Sequence, residues 1–161
     1  MKKALFAGSF NPPTLGHLDI IQRAAILFEK VYVGIAENTT KPSKFTLADK
    51  TDMLILMTKH LDNVEIVSFH GLVADFAKQQ GIDVLIRALR TSLDWDWEMS
   101  MANANKLLSG LETLFIVADP KLAHICSSLV REIAFYGGSL KGFVPHELEK
   151  IIQSKLQGKQ N

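Results

Sequence analysis

Ala4-Leu5-Phe6-Ala7-Gly8-Ser9-Phe10-Asn11-Pro12-Pro13-Thr14-Leu15-Gly16-His17-Leu18 reads as a strand, a loop and the start of a helix. Four apolar residues in succession, without polar alternation, describe a short strand covered on both faces. After the loop, Leu18, Ile21, Ala25 and Phe28 recur at spacings of 3, 4 and 3, the period of a helix with one apolar stripe. Gly8 and Gly16 let the backbone pass close to a bulky ligand, and the prolines stiffen the loop where no donor is needed. His17 falls in the first helical turn, where free backbone N–H groups and the positive end of the helix dipole favour a phosphate. Its imidazole can donate a hydrogen bond to a phosphoryl oxygen, and Ser9 offers a hydroxyl and an amide at the strand end. Thr14 can instead cap the helix, which would make His17 an ordinary first-turn residue.

The same alternation continues outward. Apolar runs of strand length recur at Val31–Ala36, Val64–Phe69, Val84–Ala88 and Leu114–Ala118. Between them Leu54, Met57 and Leu61 mark one helix, Leu72 and Phe76 a shorter one, and Trp97, Met101, Ala104 and Leu108 a third. Leu129 with Ile133 marks another, and the last lies near Pro145–Leu156. Strands alternating with helices predict an α/β fold, a Rossmann-like doubly wound five-stranded parallel sheet with right-handed crossovers. The length of 161 residues suits one domain, placed at 1–157, with 158–161 a polar tail expected to fray.

Composition narrows the function classes. Apolar residues make up 47% and charged residues 22%, which excludes a disordered chain. Eighteen Lys and Arg against 17 Asp and Glu leave a formal charge of +1, so no bulk field directs the protein to nucleic acid or an anionic membrane. Any anion site must be local. The single cysteine, Cys126, excludes an internal disulfide and suits a reducing compartment. The apolar start of the chain is too short for a signal peptide, and no run approaches a membrane span.

In an open α/β sheet, ligands bind beyond the carboxyl ends of the strands, so the segments after each apolar run carry the functional signal. The first loop fits neither a dinucleotide fingerprint nor a Walker A loop, because its glycine spacing differs and no Gly-Lys-Ser/Thr follows. After the second strand, Lys41, with Lys44 as the weaker alternative, could bridge two phosphates, and Thr46 reads as the cap of the next helix. Gly71-Leu72-Val73 opens the following helix, with Leu72 assigned to the core. Arg87-Ala88-Leu89-Arg90 puts two guanidinium groups at a strand end, suited to phosphate or to pairing with nearby acids. Asp94 and Glu98 share a helical face, a weak indication of a metal site. Ser127 and Ser128 can cap a helix or, with its free amides, hold phosphates.

Taken together, these segments resemble the phosphopantetheine adenylyltransferase family of the T-x-G-H nucleotidyltransferases. The match runs through Gly8-Ser9-Phe10-Asn11-Pro12 to Gly16-His17, the lysine ahead of Phe45-Thr46-Leu47, Arg87-Ala88-Leu89-Arg90, Trp95-Asp96-Trp97-Glu98-Met99 with Asn105, and Ile125-Cys126-Ser127-Ser128 with Arg131. The resemblance implies transfer of an adenylyl group from ATP to 4′-phosphopantetheine. His17 would stabilise the transition state, with Lys41 and Arg90 assisting. Ser9, Phe10, His17, Ala88, Leu89, Arg90, Glu98 and the run Leu122, Ala123, His124, Ile125, Cys126, Ser127 and Ser128 would meet ATP. Ser9, Lys41, Val73, Arg87 and Asn105 would meet the acceptor. It further implies Mg²⁺ held by substrate oxygens rather than a protein metal site, a homohexamer, feedback by coenzyme A, and a cytoplasmic setting. Asn11, Ala88 and Cys126 depart from the family's aspartate, glycine and serine. The competing expectations are a sister transferase acting on nicotinamide mononucleotide or another phosphorylated acceptor, and a module that senses ATP without turnover.

Overall fold

Each apolar run becomes a strand in the computed structural model, which describes residues 2–37 and 43–157. The order is β1 (Lys3–Gly8), α1 (Leu15–Leu27), β2 (Lys30–Ala36), α2 (Leu47–Thr58), β3 (Val64–Phe69), α3 (Val73–Gln80), β4 (Val84–Leu89), α4 (Ser92–Ser109), β5 (Glu112–Val117), α5 (Ser127–Phe135) and α6 (His146–Leu156). The strands form one five-stranded sheet in the order β3-β2-β1-β4-β5, and every pairing is parallel. The chain winds outward from β1 to β3 and returns to lay β4 on the other side of β1. The crevice between β1 and β4 is therefore the switch point at which a ligand can enter the sheet's carboxyl edge. This is the doubly wound α/β fold expected from the alternation.

Strand alternation sorts the core into two layers. Ala4, Phe6, Val31, Val33, Ile35 and Ile86 face α1, α2, α5 and α6, and form the larger cluster. Leu5, Ala7 and Leu85 face the opposite side, where Phe69 and Ala77 join them. The same alternation sends Arg87 to the second side and packs Ala88 against the first. Gly34 is required by packing: a Cβ there would lie 2.9 Å from both Leu5 Cδ1 and Phe69 Cε1.

Several expectations need correction. The last strand begins at Glu112, two residues before the apolar run, because β5 is an edge strand whose first residues need no burial. Leu72 is not core: it is the N-cap of α3 and 55% exposed. The buried positions of α5 are Val130 and Ala134, one step along from Leu129 and Ile133. On α4 the stripe used to recognise the helix faces outward. Trp97 is 67% exposed and Leu108 59%, while the buried residues are Glu98 and Asn105. The period locates the helix, but periodicity gives a stripe and not the direction in which it points.

Candidate active site

Beyond the ends of β1 and β4 lies a cavity of about 330 Å³. Gly8 and Ser9 enter it from the end of β1 and the loop after it, His17 from α1, Arg87 and Ala88 from β4 and Arg90 from the residues just after it, Asp94 and Glu98 from α4, Leu122, Ile125 and Cys126 from the last loop, and Ser127 from the start of α5. The N-termini of α1, α4 and α5 all open toward it, so three positive dipole ends converge; capping boxes occupy amides of α1 and α4, while α5 has no side-chain cap.

His17 is held by its own helix. Thr14 is the N-cap of α1, and its backbone N–H donates to His17 Nδ1 at 3.0 Å. The return bond runs from the His17 N–H to Thr14 Oγ1 at 3.3 Å. The capping role of Thr14 is therefore real, and it leaves His17 lining the cavity with Nε2 outside the cap. An amide can only donate, so Nδ1 must be an acceptor, and the neutral ring carries its proton on Nε2. Burial, reinforced by the charge of Arg90, lowers the His17 pKa from 6.5 to about 4. The imidazole is thus a neutral donor at physiological pH, half-buried in the cavity wall with Arg90 close enough to act on it. Beneath it sits Phe10, fully buried at a centroid distance of 5.0 Å and held at φ 45°. A left-handed phenylalanine is strained, and the strain serves to fill the space under the ring.

The two arginines are both paired. Glu98 accepts from Arg87 Nε and Nη2, each at 2.6 Å, and Arg87 Nη1 donates to the Ala7 carbonyl at 3.1 Å. Arg90 is held more loosely, with Nη2 3.5 Å from Asp94 Oδ1. Asp94 has a second duty, closing the capping box of α4 with Thr91. Burial opposes its ionisation. The amides of Arg90 and Thr91, with the charge of Arg90, outweigh that and hold the carboxyl below its usual range.

The last loop is built differently from expectation. The N-cap of α5 is Cys126, which makes no side-chain cap bond, and Ser127 and Ser128 are the first two helical residues. Ser127 Oγ donates to the Pro12 carbonyl at 2.8 Å. Arg131 donates from Nη1 to the Asn11 carbonyl and from Nη2 to Ser128 Oγ at 3.1 Å. These contacts clamp the first loop onto α5, a tie across more than a hundred residues that no local motif encodes. Asn11 itself accepts from Ser43 Oγ at 2.7 Å. An acceptor oxygen is all that contact asks for, so asparagine serves where the family has aspartate.

Among the remaining expected residues, Phe10 and Leu89 flank the cavity without lining it, and His124 turns away to pack on Phe143. Ala123 and Ser128 adjoin the lining run. Val73 at the start of α3 and Asn105 on α4 lie on the Arg87 side of the sheet, outside the cavity. Lys41 lies outside the described residues. No group of three or more His, Cys, Asp or Glu is placed to hold a metal ion among the described residues. The two carboxylates that line the cavity, Asp94 and Glu98, are committed to the contacts above.

A family model described as cytidylyltransferase-like matches residues 5–133. The phosphopantetheine adenylyltransferase of Finegoldia magna is 48% identical over 158 residues, covering 98% of this chain and 98% of that protein. A crystal structure assigned as a nicotinate-nucleotide adenylyltransferase from Vibrio parahaemolyticus superposes with a TM-score of 0.72, covering 99% of this chain and 100% of that one. At 17% identity that likeness speaks for the fold alone.

Proposed function

The chain belongs to the cytidylyltransferase-like family and, within it, to the phosphopantetheine adenylyltransferases, and from that premise we propose that it transfers the adenylyl group of ATP to 4′-phosphopantetheine, giving dephospho-coenzyme A and pyrophosphate. The observation that carries the chemistry is the neutral His17, whose Nε2–H is the free donor beside Arg90 in the switch-point cavity.

The reaction is an in-line displacement. An oxygen of the acceptor's phosphate forms a bond to the α-phosphorus as the bond to pyrophosphate breaks. The acceptor's second ionisation lies near ~6, so it is largely dianionic at neutral pH and needs no general base. The obstacle is the approach of two anions. His17 Nε2–H donates to an α-phosphoryl oxygen as charge develops there, and Arg90 with the amides of α5 receives the departing phosphates. Ser9, the backbone at Phe10, Ala88 and Leu89, the carboxylate-bearing Glu98 turn and residues Leu122–Ser128 border the nucleotide. Lys41, Val73, Arg87 and Asn105 take the acceptor. Strand alternation supports this split, because it puts Arg87 on the side of Val73 and Asn105 and Ala88 on the side of α1. Magnesium would accompany ATP and offset phosphate charge rather than rest on Asp94 or Glu98, since both cavity carboxylates already serve cationic or amide partners.

The outward stripe of α4 supports self-association into a homohexamer: Leu93, Trp97, Leu107 and Leu108 are all more than half exposed. Coenzyme A, which shares the acceptor's arm, would compete at the same cavity as a feedback ligand. No helix among the described residues is long and apolar enough to cross a membrane. The test is pyrophosphate release with ATP and either 4′-phosphopantetheine or nicotinamide mononucleotide. Release that depends on 4′-phosphopantetheine supports the reading; faster release with the mononucleotide, or none with either, rejects it.

A further inference from the structure

Arg87 and Glu98 are separated by 11 residues, stand on different elements and are joined by two short bonds inside the cavity. A guanidinium has five N–H donors. In Arg87, the Nε–H and one Nη2–H are taken by Glu98, and one Nη1–H by the Ala7 carbonyl. One N–H remains on each terminal nitrogen. Those two donors are left for the oxygens of a phosphate. Glu98 grips one edge of the group and the β1 backbone a second, so the rotamer freedom of a long side chain is removed before a ligand arrives. The carboxylate is buried, with only 10% of its side chain exposed, and both its oxygens serve this one partner.

We propose that Glu98 is a positioning residue, which fixes the Arg87 guanidinium so that its two free N–H groups receive the phosphate of the acceptor. The inference rests on the adenylyl-transfer reading and changes one part of it: Glu98 acts on the acceptor through Arg87 rather than on ATP directly. Because the pair is formally neutral, Arg87 contributes direction more than net attraction. Its loss of alignment would show in acceptor affinity and leave ATP affinity in place.

Glu98→Gln keeps the shape and puts an amide NH₂ against one guanidinium N–H, so the two-point grip fails. The acceptor KM is expected to rise about 10-fold or more while the ATP KM stays within about 2-fold. In an Arg87→Ala background the same change should add less than about 2-fold, since a positioning residue has nothing left to position. Glu98→Asp retains the charge but falls one methylene short, and should reproduce the rise if Glu98→Gln folds poorly. A matching loss of ATP affinity with an unchanged acceptor KM, additive effects in the Arg87→Ala background, or no change in either KM overturns the proposal. Calorimetric titration with 4′-phosphopantetheine alone separates the two readings. Wild-type binding without turnover rejects adenylyl transfer, while the Glu98–Arg87 coupling can still be measured on that binding. A wild-type chain that binds no 4′-phosphopantetheine overturns both.

Discussion

Replacing His17 by alanine should cost turnover far more than it costs the fold. The side chain contributes one pre-organised donor to the transition state, Nε2–H, and removal of one such donor typically lowers kcat by ~10²–10³, or roughly 3–4 kcal/mol. The structural loss is smaller. Thr14 keeps its place as N-cap but its N–H loses Nδ1 as acceptor, and loss of a capping contact costs about 1 kcal/mol. The freed amide faces the cavity, where water can meet it. Steady-state pyrophosphate release, with each substrate varied, should show kcat reduced and both KM values within a few-fold. A pH series adds an independent check. His17 is neutral down to about pH 4, so it cannot produce an acid limb near its ordinary pKa of 6.5. The limb in kcat/KM for the acceptor should sit near ~6, where the dianionic phosphate of the acceptor takes up a proton to become the monoanion, and should persist in His17→Ala. A variant kcat within threefold of wild type, or an acid limb that vanishes with the imidazole, would refute the assigned role.

Gly34→Ala should destabilise the chain by ~1–3 kcal/mol through overpacking, because its Cβ would lie 2.9 Å from Leu5 Cδ1 and Phe69 Cε1 in the packed core; an unchanged urea midpoint would contradict that. Trp97→Asp places a charge on the outward stripe of α4, and sedimentation velocity should show smaller species than wild type, whereas an unaltered distribution would remove α4 from the assembly surface. Stability should also fall in acid. The His17 pKa in the fold, about 4, lies below its unfolded value of 6.5, so the unfolded chain binds the extra proton. The contribution is whole above pH 6.5 and is lost as pH drops toward 4. His17→Ala should flatten that segment of the stability curve, and an unchanged slope would exclude His17 as its source.

The sheet was legible because its information is local: each strand is a run of apolar residues, and the loops that follow carry their own glycines, prolines and caps. The pairing of Arg87 with Glu98 was not, since nothing in a string says that residues 11 apart, on a strand and on a helix, will share two hydrogen bonds. The clamp of the first loop by Ser127 and Arg131 was hidden for the same reason, at a far greater separation. The outward face of α4 misled in a different way. Its apolar stripe is as periodic as that of α2, yet α4 buries Glu98 and Asn105 while α2 buries Met53, Leu54 and Met57. A stripe reports that some apolar surface will be covered, and a single chain does not say whether its own core or another copy does so. At His17 the cap and the cavity use opposite nitrogens of one ring, so the capping signal and the cavity position are compatible.

The electrostatics of the cavity also differ from what a count of cations suggests. A row of free lysines and arginines would attract anions strongly, but without direction and against mutual repulsion. Here each arginine on β4 and its adjoining loop has an acid on α4, and the histidine is neutral. The pairs lie within a half-enclosed crevice, where hydrogen bonds are stronger than in water. What is left for phosphate is a small set of held N–H donors: Nε2–H of His17, the two remaining N–H groups of Arg87, and the uncapped start of α5. Such donors discriminate between ground and transition states, because they are fixed in place and match only one arrangement of oxygens. A diffuse positive field would bind substrate and product pyrophosphate alike. On the proposed reading the acids have a part in the site: by neutralising net charge they leave geometry as the means of telling one arrangement of phosphates from another.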